Sequence, residues 1–128
     1  MFTPEELLYT ETHLWLRKIG SNDYCVGITD FAQRQIGEIY LVEIDSGMNI
    51  KIDYPFAFAH GFNETFSLIM PYECQIITMN TTLNQRPIHI NIDPYNCWFL
   101  AISMQPTEDM FLTSKQYKQL IKSHNQLL

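Results

Sequence analysis

Six short apolar runs, each closed by a turn signal, occupy the chain between Ile39 and Met104, and one small open sheet cannot seat them all. They are Ile39 to Ile44, Pro55 to Phe62, Phe66 to Met70, Cys74 to Met79, Ile88 to Ile92 and Trp98 to Met104. Alternation within them separates a buried from a wetted face, as where Ile88, Ile90 and Ile92 oppose His89 and Asn91. From Phe56 to Phe62 the large residues Phe56, Phe58, His60 and Phe62 take one face. Ala57, Ala59 and Gly61 take the other, which permits close approach of a second layer. Turn signals at Ser46-Gly47, Asp53-Tyr54-Pro55, Pro71-Tyr72 and Asn84-Gln85-Arg86-Pro87 separate the runs. This spacing predicts a mainly β fold, a sandwich or flattened barrel.

Helices are expected around this β body. Thr3 and Glu6 form a capping box with Pro4 between them, which predicts a single helical turn at the start. Thr12 to Arg17 and Asp23 to Ile28 read as strands joined through Gly20-Ser21-Asn22. Thr29 is then an N-cap, Asp30 suits the positive helix end, and Gly37 supplies the C′ residue of a short internal helix. A last helix is predicted from about Thr113 to Gln126, capped by Thr113 or Ser114. Tyr117, Leu120, Ile121 and a final Leu fall on its packing face, while Lys115, Lys118 and Lys122 line a solvated one. The 128 residues contain neither a linker nor a repeat and are read as one domain, residues 1–128.

Composition removes several function classes. Hydrophobic residues make up 46% and charged ones 17%, a balance that favours a folded globule over a disordered chain. Eight Lys and Arg stand against 14 Asp and Glu, a net charge of -6, which is the wrong sign for nucleic-acid phosphates or an anionic membrane. The longest apolar stretch, Cys97 to Ile102, falls far short of a membrane span of roughly 20 residues. Acidic Glu5 and Glu6 stand where a secretory leader would be basic, so a cytoplasmic protein is expected. Cys25, Cys74 and Cys97 are widely spaced and are read as reduced, mostly buried thiols. His13, His60, His89 and His124 are scattered, without metal-ligand spacing, and no glycine run forms a phosphate loop.

Several segments, read in order, resemble the H-protein family of the glycine cleavage system. They are Tyr9-Thr10-Glu11-Thr12-His13-Leu14-Trp15, Val26-Gly27-Ile28-Thr29-Asp30-Phe31-Ala32-Gln33, and Gly37-Glu38-Ile39 leading into Leu41-Val42-Glu43. Pro55-Phe56-Ala57, Asn80 with Leu83, Asn91-Ile92-Asp93-Pro94-Tyr95 and Trp98-Phe99-Leu100 continue the match in register. The resemblance implies a lipoyl-domain-like sandwich (a barrel-sandwich hybrid) with added helices. It also implies a non-catalytic carrier, because H proteins hold a lipoyl arm on a lysine at the tip of a β-hairpin. That arm shuttles an aminomethyl group between the other components.

At that tip the sequence departs from the family. The family pattern is approximately Glu-Ser-Val-Lys-Ala, and here the register gives His60-Gly61-Phe62-Asn63-Glu64. Asn63 stands in the lysine position, and no lysine occurs from Asp53 to Tyr95. Pro71 of the following turn is kept, but Cys74 replaces its glycine. Asp93-Pro94-Tyr95-Asn96 matches the family's turn before the last long strand and is expected to be structural. The reading therefore assigns no cofactor, no catalytic residue and no metal. His60, Phe62, Asn63, Glu64 and Phe66 are the candidate partner-binding residues, facing a glycine cleavage component, a lipoylation enzyme or a new protein. Phe62 and Phe66, if exposed, form an apolar patch; the expectation is that one or both fold back beside Phe58. Two alternatives stay open. One is a functional carrier modified at another lysine such as Lys51, which is not expected to sit in a tight turn. The other is a small enzyme or ligand-binding protein using Cys74, Cys97 or His60.

Overall fold

The computed structural model describes residues 3–45, 47, 49–105 and 111–126. Its elements run β1 (Leu8–Tyr9), β2 (Leu14–Lys18), β3 (Asp23–Ile28), α1 (Asp30–Ile36), β4 (Ile39–Ile44) and β5 (Asn49–Ile50). They continue with β6 (Pro55–Gly61), β7 (Thr65–Ile69), β8 (Cys74–Met79), α2 (Ile88–Ile92), β9 (Leu100–Ser103) and α3 (Ser114–Gln126). Among the described residues the strands form two sheets, β1-β2-β3-β9-β8-β5 and β4-β6-β7. One buried cluster draws side chains from both, including Leu14, Val26, Ile28, Val42, Ala59, Leu68 and Ile102, so the two sheets share a core as the predicted sandwich requires. Burial of this kind stabilises by roughly 1.5–3 kcal/mol for each large apolar side chain.

A second cluster lies on the far side of the larger sheet. Leu7, Tyr9, Trp15, Phe31, Tyr95, Tyr117 and Ile121 are buried together there, with α3 closing over them. The packing face foreseen for α3 is present in Tyr117 and Ile121, and Lys115, Lys118 and Lys122 are exposed. The final Leu lies outside the described residues, as does Ser46 of the foreseen Ser46-Gly47 turn.

Three local expectations are corrected. The N-terminal segment makes a turn at Glu5–Glu6 and no helix, because tertiary partners engage its carbonyls: Tyr9 donates to Pro4 O at 2.6 Å and Ser114 to Thr3 O at 2.9 Å. Ile88–Ile92 is a helical turn and no strand. It starts from Pro87 at φ -59°, ψ -27°, with Ile90 N donating to Pro87 O at 3.0 Å. On that turn Ile90 is buried while Ile92 is 69% exposed, a division that a shared strand face would not give. In β6, a register shift between Pro55 and Ala57 places Phe56 and Ala57 both inside, so Phe56 does not join Phe58 and His60 on the outer face.

Asparagine amides close the outer edge of β4. Asn84 Nδ2 donates to Val42 O at 2.7 Å and its Oδ1 accepts from Val42 N at 2.8 Å, as a neighbouring strand would. Asn91 Oδ1 accepts from Ile39 N at 2.9 Å, and Nδ2 donates to Gly37 O at 2.8 Å and Gln33 Oε1 at 2.9 Å. Asn91 thereby clasps the junction between α1 and β4.

Candidate functional site: the hairpin apex and its outer face

The apex is built by α1 as much as by its own strands. β6 and β7 pair antiparallel up to His60 opposite Thr65, and Gly61 N donates to Glu64 O at 3.1 Å, leaving Phe62 and Asn63 at the bend. The C-terminal carbonyls of α1 have no partners within their own helix. Ile36 O accepts from Asn63 N at 3.0 Å and from Glu64 N at 3.4 Å, while Glu38 O accepts from Phe62 N at 3.2 Å. The backbone of the apex is thus latched to the helix end.

Two glycines make this approach possible. A Cβ on Gly61 would sit 2.4 Å from Ile36 Cγ2 and Ile36 O. Gly37 has φ 78°, and a Cβ there would lie 2.9 Å from the carboxamide of Asn63. The Asn63 side chain is exposed, and among the described residues its amide has no hydrogen-bond partner.

Beside the apex the outer face of the smaller sheet is aromatic. Phe62 is 73% exposed, Tyr40 54% and Phe58 37%. Phe62 and Tyr40 are 5.7 Å apart between ring centroids; His60 lies 6.3 Å from Tyr40 and 6.5 Å from Phe58. His60 Nε2 is hydrogen-bonded to Glu43 Oε1, and Nδ1 lies 3.0 Å from Thr65 Oγ1. An ionised Glu43 only accepts, so Nε2 carries the proton in that pair.

Of the candidate residues, His60, Phe62, Asn63 and Glu64 come together at this corner. Phe66 does not join them as an exposed ring: it is half-buried and packs against the core. Of the two phenylalanines, Phe66 turns into the core opposite Ala59 instead of folding beside Phe58 on the outer face, and Phe62 stays out. Tyr40 was missed, because nothing in a β run marks which exposed position will border a distant hairpin bend.

The remaining candidates lie elsewhere. Lys51 is exposed and, contrary to expectation, opens a tight turn: Tyr54 N donates to Lys51 O at 3.3 Å, and Asp53 has φ 64°. That turn precedes the Pro55 end of β6, about 20 Å along the strand from the apex. Cys74 is buried, and burial pushes its thiol up to about 12. Cys25 and Cys97 are half-buried, short of the mostly buried expectation, and burial raises both. All three are thiols at neutral pH, a poor state for a nucleophile. Pro94–Asn96 forms a 3-10 turn with a structural part: Trp15 Nε1 donates to Pro94 O at 3.0 Å and Asp30 N to Tyr95 Oη at 3.1 Å.

Sequence distance concealed one polar cluster. Tyr117 Oη lies 2.6 Å from Thr29 Oγ1 and 2.9 Å from His13 Nδ1, and the His13 and His124 rings are 5.7 Å apart. Thr29 Oγ1 also accepts from Ala32 N at 3.3 Å, capping α1. Burial first, and His124 second, lower the His13 pKa to about 4. The Tyr117 hydroxyl thus joins the neutral His13 ring to the Thr29 hydroxyl in one chain of hydrogen bonds. Among the described residues no group of three or more His, Cys, Asp or Glu is placed to hold a metal ion, and no helix is long and apolar enough to cross a membrane.

The family model described as glycine cleavage H-protein matches residues 7–124. The chain is 33% identical over 126 residues to the glycine cleavage system H protein of Geobacillus sp. (strain WCH70), an alignment covering 95% of this chain and 98% of that one. With the glycine cleavage system H protein of Anoxybacillus flavithermus (strain DSM 21510 / WK1) it shares 34% identity over 127 residues, with coverages of 94% and 98%. Its fold is similar to the crystal structure of a glycine cleavage system H protein from Mycobacterium marinum, with a TM-score of 0.81 at 23% identity over 93% of this chain and 98% of that one.

Proposed function

Since the chain belongs to the glycine cleavage H-protein family, we propose that it is a member which has kept the scaffold and lost the lipoyl attachment site. It acts in the cytoplasm as a single-domain, non-catalytic protein that binds protein partners through the hairpin corner. The observation that carries this reading is the side chain at the bend. Asn63 offers a carboxamide whose nitrogen lone pair is delocalised into the carbonyl, and the bend residues Phe62, Asn63 and Glu64 contain no primary amine. A lipoyl group needs such an amine to form its amide bond, so the residues present do not fit the group and no carrier step is assigned to this corner. His60, Phe62, Asn63 and Glu64 are the contact residues, and Phe66 supports them from within the sandwich. Glycine cleavage components and lipoylation enzymes are the partners this scaffold suits best.

A second reading has one observation in its favour, the exposed turn opened by Lys51, which could make that lysine an acceptor. One experiment separates the two. The chain is co-expressed with a lipoate ligase and free lipoate, and intact mass is read for the native sequence, Asn63→Lys and Lys51→Arg. The contact-only reading expects no adduct on the native chain and one adduct on Asn63→Lys. An adduct on the native chain rejects it, and loss of that adduct in Lys51→Arg establishes the second reading.

A further inference from the structure

We propose that the outer face of the β4-β6-β7 sheet is a seat for an arginine side chain of a partner protein, stacked on Tyr40 and Phe62 and paired with Glu43. The proposal rests on the contact-only reading above and deepens it by naming the chemistry of the partner. Three observations converge on it. The rings of Tyr40, Phe58 and Phe62 are exposed in one continuous group bridged by His60, and a contiguous exposed patch of this kind marks an interaction surface.

The patch is not neutral. The segments from Gln35 to Ile50 and from Ile52 to Gln85 contain no Lys or Arg, while Glu38, Glu43 and Glu64 fall within them. Aromatic faces carry negative potential, and a carboxylate beside them adds a full charge, so the surface selects cations over hydrocarbon or anions. Glu43 stands opposite Phe58 in the strand register, and among the described residues its Oε2 has no hydrogen-bond partner, Oε1 being held by His60.

Geometry favours a guanidinium over an ammonium. A planar, weakly hydrated guanidinium lies flat on a ring while its N–H fork reaches a carboxylate, whereas an ammonium is a compact, strongly hydrated point charge. Arg34, the arginine nearest in sequence to Tyr40, is engaged elsewhere: its Nε donates to Asp30 Oδ2 at 2.9 Å. A net charge of -6 further steers a basic partner toward the molecule.

The test is an NMR titration of the isotopically labelled full chain with the capped peptide acetyl-Ser-Gly-Arg-Gly-Ser-amide at millimolar concentration. Its lysine and citrulline counterparts are run beside it. The arginine peptide is expected to shift the signals of Tyr40, His60 and Phe62, to bind about two- to fivefold more tightly than the uncharged citrulline counterpart, the range an exposed cation–π contact supplies, and to bind more tightly than the lysine one. The response is expected to vanish in a Tyr40→Ala/Phe62→Ala double variant and to weaken in Glu43→Gln. All three are exposed positions whose folding is checked by thermal melting. Equal binding of the three peptides, no binding of any, or shifts that survive the double variant would overturn the proposal. The mass of the same sample keeps the two questions apart. An unmodified chain that ignores the arginine peptide sinks this inference alone, and a lipoylated native chain sinks the contact-only reading whatever the titration gives.

Discussion

The two ends of α1 are treated in opposite ways. At its N-terminus the Thr29 cap is roofed by Tyr117 and linked through it to His13, and each of these polar atoms has a partner inside the protein. At its C-terminus the bend is held through main-chain atoms alone: Ile36 O and Glu38 O hold the amides of Phe62, Asn63 and Glu64, and the side chains of the bend are left to solvent. The contrast separates scaffold from site. Polar groups consumed by internal bonds stabilise the fold, whereas a fixed backbone that presents unengaged side chains is arranged for something outside.

The largest effect that tests this contrast is on the buried end. Tyr117 is fully buried, stacks on Tyr9 at 4.7 Å and bonds to both Thr29 and His13, so Tyr117→Ala is expected to lower unfolding free energy by about 3–5 kcal/mol. Chemical denaturation monitored by fluorescence measures it. A loss below about 1 kcal/mol would make α3 a loose appendage and dissolve the contrast.

The next effect is in pH. His13 has a folded pKa of about 4 against 6.5 unfolded, so the unfolded state binds the extra proton in between. Stability from the neutral ring is complete above pH 6.5 and falls through the window down to pH 4, by roughly 3 kcal/mol in all. Asparagine tolerates the φ of 69° at this position, so His13→Asn is expected to remove that part of the slope while keeping the fold. An unchanged slope in the variant would assign the pH dependence to other groups.

The smallest expected effect is at the apex. Phe62→Ala and Asn63→Lys should each leave unfolding free energy within about 0.5 kcal/mol of the native chain, because both side chains are exposed and only the backbone there is bonded internally. A loss above about 1 kcal/mol for either would return the apex to the scaffold.

How far the sequence reached follows the same division. The sandwich, the capped α1 and the amphipathic α3 were legible because periodicity, cap chemistry and turn residues are local signals. Ile88–Ile92 was misread because apolar positions at every second place fit the strand period, and five residues are too few for that pattern to decide the structure. Pro87 and the need to bring Asn91 to the end of α1 decided for a helix. The register shift in β6, the burial of Phe66 and the arrival of Tyr40 beside Phe62 depend on contacts between distant strands, and no local pattern encodes them. The absent lysine was visible at once, being a matter of residue identity. The latch from Ile36 was not, because it is made entirely of main-chain atoms, which every sequence possesses.

Asn91 binds three oxygens through one nitrogen, Gly37 O, Gln33 Oε1 and Gln33 O. Should ageing hydrolyse that amide to an acid, the same atom position would become a fourth oxygen bearing negative charge. Attraction would turn to repulsion at Gly37, the residue between the two carbonyls that hold the bend, so slow chemical damage at a half-buried asparagine would register as loosened presentation at Asn63.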